Sequence, residues 1–392
     1  MPPATRPFLL ADSQLTGHSI IAASLTRPAA DEPPPAPSSA FCAHWPVAGR
    51  DGPRPFFSAT APQVAAACSA AAEAFNTFHV ARSALASHTA RWLTLLADRC
   101  LANQAEILAL ASRETGLTRC RLAREFGRMI GTLKLFAELA ASGSWQEVLH
   151  SPPLAPAQAG PFNADLRRVN IPLGPVAVFT ASNFPLAYGV CGGDFASAVC
   201  TGCPVIIKGH PAHPGTGEFL ARLAATTLAE SGLPSGFFSF LHAGGDRERP
   251  VGRELVLSPS IRAVGFTGSI AGGEALRHLI AAERQTDPIP LFAENGSCNL
   301  VLVCQSALRT RASQVATDLA ISLTDSVGQQ CTNTGLVAIE GSAADAAAFA
   351  SQLATLASRA PARPCPRGSP TSPSPSSASG ALPALRAPCP RR

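Results

Sequence analysis

The chain lacks the long apolar run that a membrane-spanning helix requires. No apolar stretch approaches the roughly 18 residues of such a helix, although 46% of the residues are hydrophobic and only 15% are charged. The apolar stretch at residues 8–10 is too short for the core of a secretory signal, and no transit-peptide pattern follows it. We therefore predict a globular cytoplasmic protein with no membrane partner.

Cysteine spacings typical of metal sites and disulfide frameworks are also absent. Among the 12 cysteines, Cys200 and Cys203 form the only close pair, and no second pair or histidine couple stands at zinc-site spacing. We predict no metal. We interpret Cys200 and Cys203 as small residues buried at a turn from a helix to a strand, in a reducing compartment. A redox role for the pair is the alternative.

An excess of charge of one sign is absent from most of the chain. The formal net charge is +5, but residues 342–392 contain six arginines and a single acid, Asp345. Residues 1–341 therefore carry 25 basic and 25 acidic side chains. This balance gives no support for a nucleic-acid surface, so we predict no nucleic-acid partner.

Changes of sequence pattern divide the chain into five segments. Residues 1–62 are rich in proline and alanine and predict an extended N-terminal segment, whereas residues 63–150 show apolar positions at helical spacing. Residues 151–293 alternate short apolar runs with helical stretches, and residues 294–345 begin a second α/β unit. Residues 346–392 are rich in Pro, Ser and Arg, with nine prolines after residue 360, which predicts a disordered tail.

The segment 151–293 predicts a doubly wound parallel α/β sheet. Its four apolar runs suit buried strands, and helical stretches near 186–200, 214–231 and 247–257 separate them. The predicted strands are Val176–Phe179, Val205–Ile207, Phe237–Leu241 and Ile261–Phe266. In the next segment we predict strands at Leu300–Val303 and Gly335–Ile339, with a helix near 311–326 between them.

Glycines and polar residues follow the predicted strands, at the edge where parallel sheets bind ligands. The turn from Phe266 to Gly273 ends a strand and opens a helix, where backbone N–H groups can approach a phosphate; a simple tight turn is the alternative. Lys208 closes a strand and can reach ribose or phosphate oxygens, or it is a solvated lysine. Asn183 can donate to an oxyanion, or it serves only the conformation of a turn.

Cys331 and Glu294 are the residues best suited to thioester chemistry. Each lies in a loop beside glycine: Cys331 follows Gly328-Gln329-Gln330, and Glu294 precedes Asn295-Gly296-Ser297. A thiolate attacks a carbonyl, and a carboxylate later activates water. Taken singly, Cys331 is more often a buried inert thiol and Glu294 a solvated loop acid.

Five motifs in order resemble the aldehyde dehydrogenase superfamily over residues 14–341. They are Asn-Phe-Pro from Asn183, Gly-Cys-Pro-Val-Ile-Ile-Lys ending at Lys208, Phe-Thr-Gly-Ser from Phe266, Glu-x-Gly-Ser from Glu294, and Gly-Gln-x-Cys-Thr around Cys331. The stretches 170–179 and 208–216 and the Ala-Ser-Asn-Phe-Pro form of the first motif are most similar to the NADP-using branch that acts on fatty aldehydes and α-ketoglutaric semialdehyde.

The resemblance implies a Rossmann-like NAD(P)-binding core over 151–293, preceded by its helical part, and the incomplete start of an α/β catalytic domain. It implies Cys331 as the nucleophile, Glu294 as the water-activating base and Asn183 as the oxyanion donor. Residues implied in cofactor binding are Thr180, Ala181, Ser182, Lys208, His210, Pro211, Gly245, Phe266, Thr267, Gly268, Ser269 and Gly273. Because Pro211 stands where NAD-preferring relatives carry a glutamate, NADP is the expected cofactor and NAD the alternative. The expected substrate is an aliphatic aldehyde or an oxo-acid semialdehyde.

The sequence also departs from this family pattern. Asn295 replaces the usual leucine after Glu294, and the Glu-x-Phe-Gly-Pro motif and the last strand of the subunit contact are missing. We therefore expect a truncated catalytic domain, a family homo-oligomer that lacks its contact strand, and a tail that arises from a reading-frame change or aberrant exon. Two alternatives follow: an impaired fragment that binds nucleotide or a full-length relative, and an acylating enzyme that passes the thioester to coenzyme A. Glu294 argues against the acylating enzyme, because such an enzyme does not need a carboxylate that activates water.

Overall fold

The computed structural model describes residues 11–24, 40–79, 82–153 and 163–359. In the predicted N-terminal segment, strands β1 (Ala40–Trp45) and β2 (Arg50–Phe57) pair antiparallel as a hairpin. The proline cluster at 33–35 lies outside the described residues. Residues 11–24 lie against the edge of the central sheet, because the Ile20 and Phe240 backbones exchange two hydrogen bonds at 2.8 and 2.7 Å. The Glu218 carboxylate also accepts the Thr16 and Gly17 N–H groups at 2.7 and 2.9 Å.

Four helices follow where helical spacing predicted them. They are α1 (Ala61–His79), α2 (Arg82–Ala102), α3 (Gln104–Thr115) and α4 (Arg119–Ser142). Gly116 ends α3 in the left-handed conformation, and the Thr118 hydroxyl caps α4 by accepting the Arg121 N–H. A short antiparallel pair, β3 (Leu149–Ser151) and β4 (Leu166–Arg168), follows α4, and residues 154–162 between its strands lie outside the described ranges.

The doubly wound parallel sheet is confirmed. Its strands are β5 (Val176–Phe179), β6 (Val205–Lys208), β7 (Phe238–Leu241), β8 (Ala263–Thr267) and β9 (Leu291–Glu294), in the order β7-β6-β5-β8-β9. The connecting helices are α5 (Gly193–Cys200), α6 (Pro214–Ser231), α7 (Glu248–Leu257) and α8 (Ile270–Glu283). The strand order reverses beside β5, and the crevice at such a reversal is where sheets of this type bind ligands.

Helices cover both faces of the sheet and bury two apolar clusters. Trp92 on α2 is fully buried beside Phe195 and Phe238, and its indole N–H donates to the Ala224 carbonyl at 3.0 Å. The predicted burial of Cys200 and Cys203 at a turn from a helix to a strand is confirmed, since both are buried where α5 leads into β6. The ten cysteines that the structure describes are free.

A smaller unit follows the sheet, with its own apolar cluster. Strands β10 (Asn299–Val303) and β11 (Thr334–Ile339) pair in parallel, and helices α9 (Gln305–Thr324) and α10 (Ala343–Ser358) pack on them. The tail boundary predicted at residue 346 is wrong, because α10 spans it. Alanine favours a helix there, and Ser342 and Asp345 form a capping box at its start. Residues 360–392 lie outside the described part of the chain.

Within the described ranges, no helix is both long enough and apolar enough to cross a lipid bilayer. The same residues contain no group of three or more His, Cys, Asp or Glu side chains arranged to hold a metal ion.

Glu114 is a buried acid that caps α6. Its carboxylate accepts the Gly215 N–H and the Thr216 N–H, both at 2.8 Å, and the Thr216 hydroxyl at 2.7 Å. These bonds satisfy donors that a helix start leaves unpaired. Burial nevertheless raises the pKa of Glu114 from 4.5 to about 7, since the hydrogen bonds only partly oppose the loss of solvation.

Glu114 is expected to make folding stability fall as the pH rises through its folded pKa. The folded state holds the proton more tightly than the unfolded state, so the contribution is complete below pH 4.5 and is lost above about pH 7. Its size is on the order of 3 kcal/mol. Urea unfolding of wild type and Glu114→Gln between pH 4.5 and 7.5 measures it, with the exposed Glu106→Gln on the same helix as the control. Identical pH profiles for all three proteins would contradict the prediction.

Candidate active site

The residues predicted to bind a cofactor lie at the carboxyl edge of the sheet. The ends of neighbouring strands are in register there: Phe179 pairs with Lys208 and with Phe266, and Thr267 pairs with Glu294. The remaining candidates follow these strand ends directly. They are Thr180, Ala181 and Ser182 after β5, His210 and Pro211 after β6, Gly245 after β7, and Gly268, Ser269 and Gly273 after β8.

Lys208 ends β6 as a buried cation. Its Nζ lies 4.0 Å from the Glu248 carboxylate and 5.9 Å from the centre of the Phe179 ring. The Thr180 hydroxyl donates to the Lys208 carbonyl at 3.4 Å, which fixes the end of β5 against the end of β6. Burial lowers the pKa of Lys208, and Glu248 opposes that shift. The position suits a polar ligand group that crosses the strand ends.

Two stacked imidazoles support the loop after Lys208. The His213 Nε2 bonds to the Ala181 carbonyl at 2.8 Å, and the His210 Nδ1 accepts the Ala212 N–H at 3.1 Å. Burial lowers the pKa of both rings, and the neighbouring His213 and Lys208 lower that of His210 further. Both rings are therefore neutral near pH 7, and His213 connects the loops after β5 and β6. His213 was not among the residues predicted from the sequence, where only its place in the His-Pro-Ala-His-Pro run marked it.

The turn from β8 into α8 presents a helix N-terminus to the crevice. The Ser269 hydroxyl caps α8 by accepting the Gly272 N–H at 3.1 Å, and the Gly268 N–H donates to the Glu294 carbonyl at 3.0 Å. A Cβ on Gly273 would overlap the Asn295 side-chain amide, so the glycine allows this amide to approach the start of α8 closely. The turn predicted for phosphate binding is thus held against the loop that carries Glu294.

Asn295 leaves a buried oxygen without a hydrogen-bond donor within the described structure. A buried unsatisfied acceptor costs about 1–3 kcal/mol, and an apolar side chain of similar shape removes that cost. We expect Asn295→Leu to raise the free energy of unfolding by about 1 kcal/mol or more. Urea unfolding checks this value, with Asn295→Asp as the polar control that gives no gain. A loss of stability in the leucine variant would contradict the interpretation.

Cys331 lies half-buried in a loop after the turn Asp325–Gly328. Its carbonyl accepts the Ser297 hydroxyl and the Asn299 side-chain N–H, the latter at 2.6 Å. The Asn299 side chain also donates to the Asn333 carbonyl at 2.8 Å. The loop that follows Glu294 therefore holds the backbone of the cysteine.

The structure brings the three predicted catalytic residues to one region. The Asn183 side-chain N–H donates to the Gln329 carbonyl at 2.9 Å, two residues before Cys331 in the chain. Glu294 ends β9 with an exposed side chain, three residues before Ser297. Burial raises the pKa of the neighbouring Asp194, and the charge of Glu294 raises it further. Two loops of the sheet thus meet the cysteine loop.

An ion pair on α4, which was not predicted from the sequence, connects these loops. The buried Glu125 carboxylate accepts the Leu186 and Ala187 N–H groups at 2.7 and 2.9 Å, just after Asn183. It also pairs with Arg121 at 2.6 Å, whose Nε donates to the Ser326 hydroxyl at 2.7 Å. The only sequence signal was an Arg and a Glu four residues apart on a helix face that is otherwise apolar.

This chain is similar to known proteins over most of its length. The profile of the aldehyde dehydrogenase family matches residues 55–370. The chain is 41% identical over 330 residues to alpha-ketoglutaric semialdehyde dehydrogenase 2 of Azospirillum brasilense, which covers 84% of this chain and 60% of that protein. It is 43% identical over 228 residues to alpha-ketoglutaric semialdehyde dehydrogenase of Acinetobacter baylyi, covering 58% of this chain and 42% of the relative. The chain thus spans no more than about 60% of the length of these two relatives.

A solved structure shares the fold. The aldehyde dehydrogenase KauB from Pseudomonas aeruginosa superposes with a TM-score of 0.70 at 23% identity, covering 88% of this chain and 62% of that protein.

Proposed function

The chain belongs to the aldehyde dehydrogenase family, and we propose that it oxidises an aldehyde to a carboxylate with a nicotinamide dinucleotide, through a thioester on Cys331. The observation that carries the proposal is the meeting of three segments. The Asn183 side chain bonds to Gln329, beside Cys331, and Ser297, from the loop after Glu294, bonds to the Cys331 carbonyl. These contacts support the proposal, because the segments that carry the proposed nucleophile, oxyanion donor and water-activating base touch one another.

In the proposed reaction, the Cys331 thiol adds to the aldehyde carbonyl and gives a thiohemiacetal. The Asn183 amide has two N–H donors, and one of them is used on Gln329, which leaves the second for the developing oxyanion. Loss of hydride from this carbon and of the hydroxyl proton to solvent forms the thioester. Glu294 then removes a proton from the water that attacks the thioester, and the carboxylic acid leaves as the thiol is regenerated.

The residues at the carboxyl edge fit a dinucleotide. Lys208 can donate to the ribose, and the capped start of α8 at Ser269 offers N–H groups to the pyrophosphate. The oxidised nicotinamide supplies the hydride acceptor when it is bound. NADP is proposed as the preferred form because Pro211, three residues after Lys208, places no carboxylate against a 2′-phosphate.

Pro211→Glu is expected to reverse this preference. A carboxylate beside a 2′-phosphate is a like-charge contact, which costs several kcal/mol in a close pair. The ratio of kcat/KM for NADP to that for NAD should fall about 10-fold or more. Pro211→Ala is the control, because it removes the proline without adding a charge. An equal change of the ratio in both variants would contradict this account.

The two relatives are named for alpha-ketoglutaric semialdehyde, and we propose that this chain also takes an oxo-acid semialdehyde. The test supplies the purified protein with NADP⁺ and a short semialdehyde and follows reduced nicotinamide by absorbance. Equimolar acid and reduced nucleotide, formed without coenzyme A, is the expected result. A strict requirement for coenzyme A would instead identify an acylating enzyme.

A second candidate function is nucleotide binding without turnover, as a chain that pairs with a longer relative. Leu300, Leu302 and Leu336 favour it, since they expose an apolar face of the β10–β11 pair. Saturable NADP⁺ binding by calorimetry, with no reduction of the nucleotide by any aldehyde, would support this candidate over oxidation.

A further inference from the structure

Helix α4 carries three arginines on the side that contacts the candidate active site. Arg121, Arg124 and Arg128 are three and four residues apart, a spacing that places side chains along one helix face. This face contacts the loop after Asn183 and the turn before Cys331, as the bonds from α4 to Tyr188 and Ser326 demonstrate.

Two of the three charges are already neutralised. Arg121 is paired with Glu125 at 2.6 Å, and its guanidinium carbon lies 4.3 Å from the centre of the Phe184 ring. Arg124 pairs with Asp325 at 3.2 Å. These two arginines therefore stabilise the packing of α4 against the loop after Asn183 and the turn Asp325–Gly328.

Arg128 has a different environment. Its Nη2 donates to the Tyr188 hydroxyl at 2.6 Å, and its guanidinium carbon lies 5.0 Å from the centre of that ring. No Asp or Glu among the described residues forms an ion pair with it. The side chain is exposed, so its other N–H donors face outward from the helix.

Tyr188, the single tyrosine of the chain, belongs to the loop that carries the proposed oxyanion donor. Its carbonyl accepts the Ala181 N–H at 3.0 Å, which closes the loop around Asn183. Its ring meets the Phe184 ring edge to face at 5.5 Å. The Arg128–Tyr188 pair is thus fixed to the loop that holds Asn183.

We propose that Arg128, together with the Tyr188 hydroxyl, binds the distal carboxylate of an oxo-acid semialdehyde while the aldehyde end reacts at Cys331. The inference rests on the proposed function and names the side chain that selects its substrate. A planar guanidinium binds a carboxylate through two parallel hydrogen bonds, and a phenol hydroxyl adds a donor.

The kinetic test compares two aldehydes of equal length, 5-oxopentanoate and pentanal. Arg128→Leu is expected to raise KM for 5-oxopentanoate about 10- to 100-fold, the effect of losing a charge-assisted hydrogen-bond pair. KM for pentanal should change by about twofold or less, since pentanal has no charge for Arg128 to bind. Arg128→Lys should restore part of the preference. Lys134→Leu, an exposed cation further along α4, is the matched control. Equal changes for both aldehydes would overturn the inference.

A second measurement separates this inference from the proposed function. Alkylation of Cys331 by iodoacetamide is followed by mass spectrometry while either aldehyde protects the thiol, so turnover is not required. In the wild type, 5-oxopentanoate should protect at about a 10-fold lower concentration than pentanal, a difference lost in Arg128→Leu and kept in Lys134→Leu. Preferential protection without oxidation would refute the proposed function alone. Equal protection by both aldehydes, or none by 5-oxopentanoate, would refute the role of Arg128. Circular dichroism confirms that each variant is folded.

Discussion

Replacing Cys331 with alanine is expected to reduce aldehyde-dependent nucleotide reduction on the order of 10⁴-fold or more, because no other group takes the place of a missing nucleophile. The backbone bonds from Ser297 and Asn299 to the Cys331 carbonyl do not involve the thiol, so the loop should keep its conformation. Steady-state reduction of NADP⁺ at saturating semialdehyde measures the loss. The affinity for NADP⁺, measured by calorimetry, should stay within about twofold, since Lys208 and Ser269 are untouched.

The matched control for this prediction is Cys298→Ala. Cys298 is an exposed thiol in the loop after Glu294, next to Asn299 in the chain and close to Gly335. Its alanine variant should keep activity within about threefold, because surface substitutions of this kind change stability and geometry little. If both variants lost activity equally, or if Cys331→Ala kept it, Cys331 would not be the nucleophile.

Replacing Glu125 with alanine is expected to lower the free energy of unfolding by about 3–5 kcal/mol. The substitution leaves the Arg121 charge buried without its acid and leaves the Leu186 and Ala187 N–H groups without an acceptor. Burial raises the pKa of Glu125, while Arg121 and the two N–H donors oppose that shift. Removing one member of such a pair is costly because the other cannot regain water.

Urea unfolding at pH 7 measures this loss, with Glu138→Ala on the exposed side of α4 as the control. The control should change stability by about 0.5 kcal/mol or less. The double variant Glu125→Ala, Arg121→Met removes the orphaned charge and should recover part of the loss. A loss below about 1 kcal/mol in Glu125→Ala would contradict the account of a buried, coupled pair.

The sequence predicted the central strands well because a parallel strand buried on both faces is a continuous apolar run. Val176–Phe179 was placed at its observed bounds, and the other three predicted strands of the sheet within two residues at each end. The strand Leu291–Glu294 was missed because only its first residue is partly buried, at the edge of the sheet. The hairpin of Ala40–Trp45 with Arg50–Phe57 was missed because its prolines and glycines suppress the strand signal.

The candidate site was predictable only where a motif is local in the chain. Asn183, Glu294 and Cys331 stand in short recognisable runs, and the structure brings their segments together. Their roles stay predictions until the substitutions above are measured. Glu125 and His213 act through partners 61 and 32 residues away, a contact that no periodicity or spacing encodes. Folding, rather than local pattern, creates these parts of the site.

The Arg121–Glu125 pair also has a consequence for the order of events during synthesis. The two residues emerge from the ribosome four positions apart and can neutralise each other as soon as a turn of helix forms. Their remaining partners are synthesised much later: Leu186 follows Glu125 by 61 residues, and Ser326 follows Arg121 by 205 residues. At a typical translation rate of about 5–20 residues per second, Ser326 is synthesised roughly ten seconds or more after Arg121. A self-neutralised pair lets the nascent helix bury its apolar face during that interval without enclosing a lone charge.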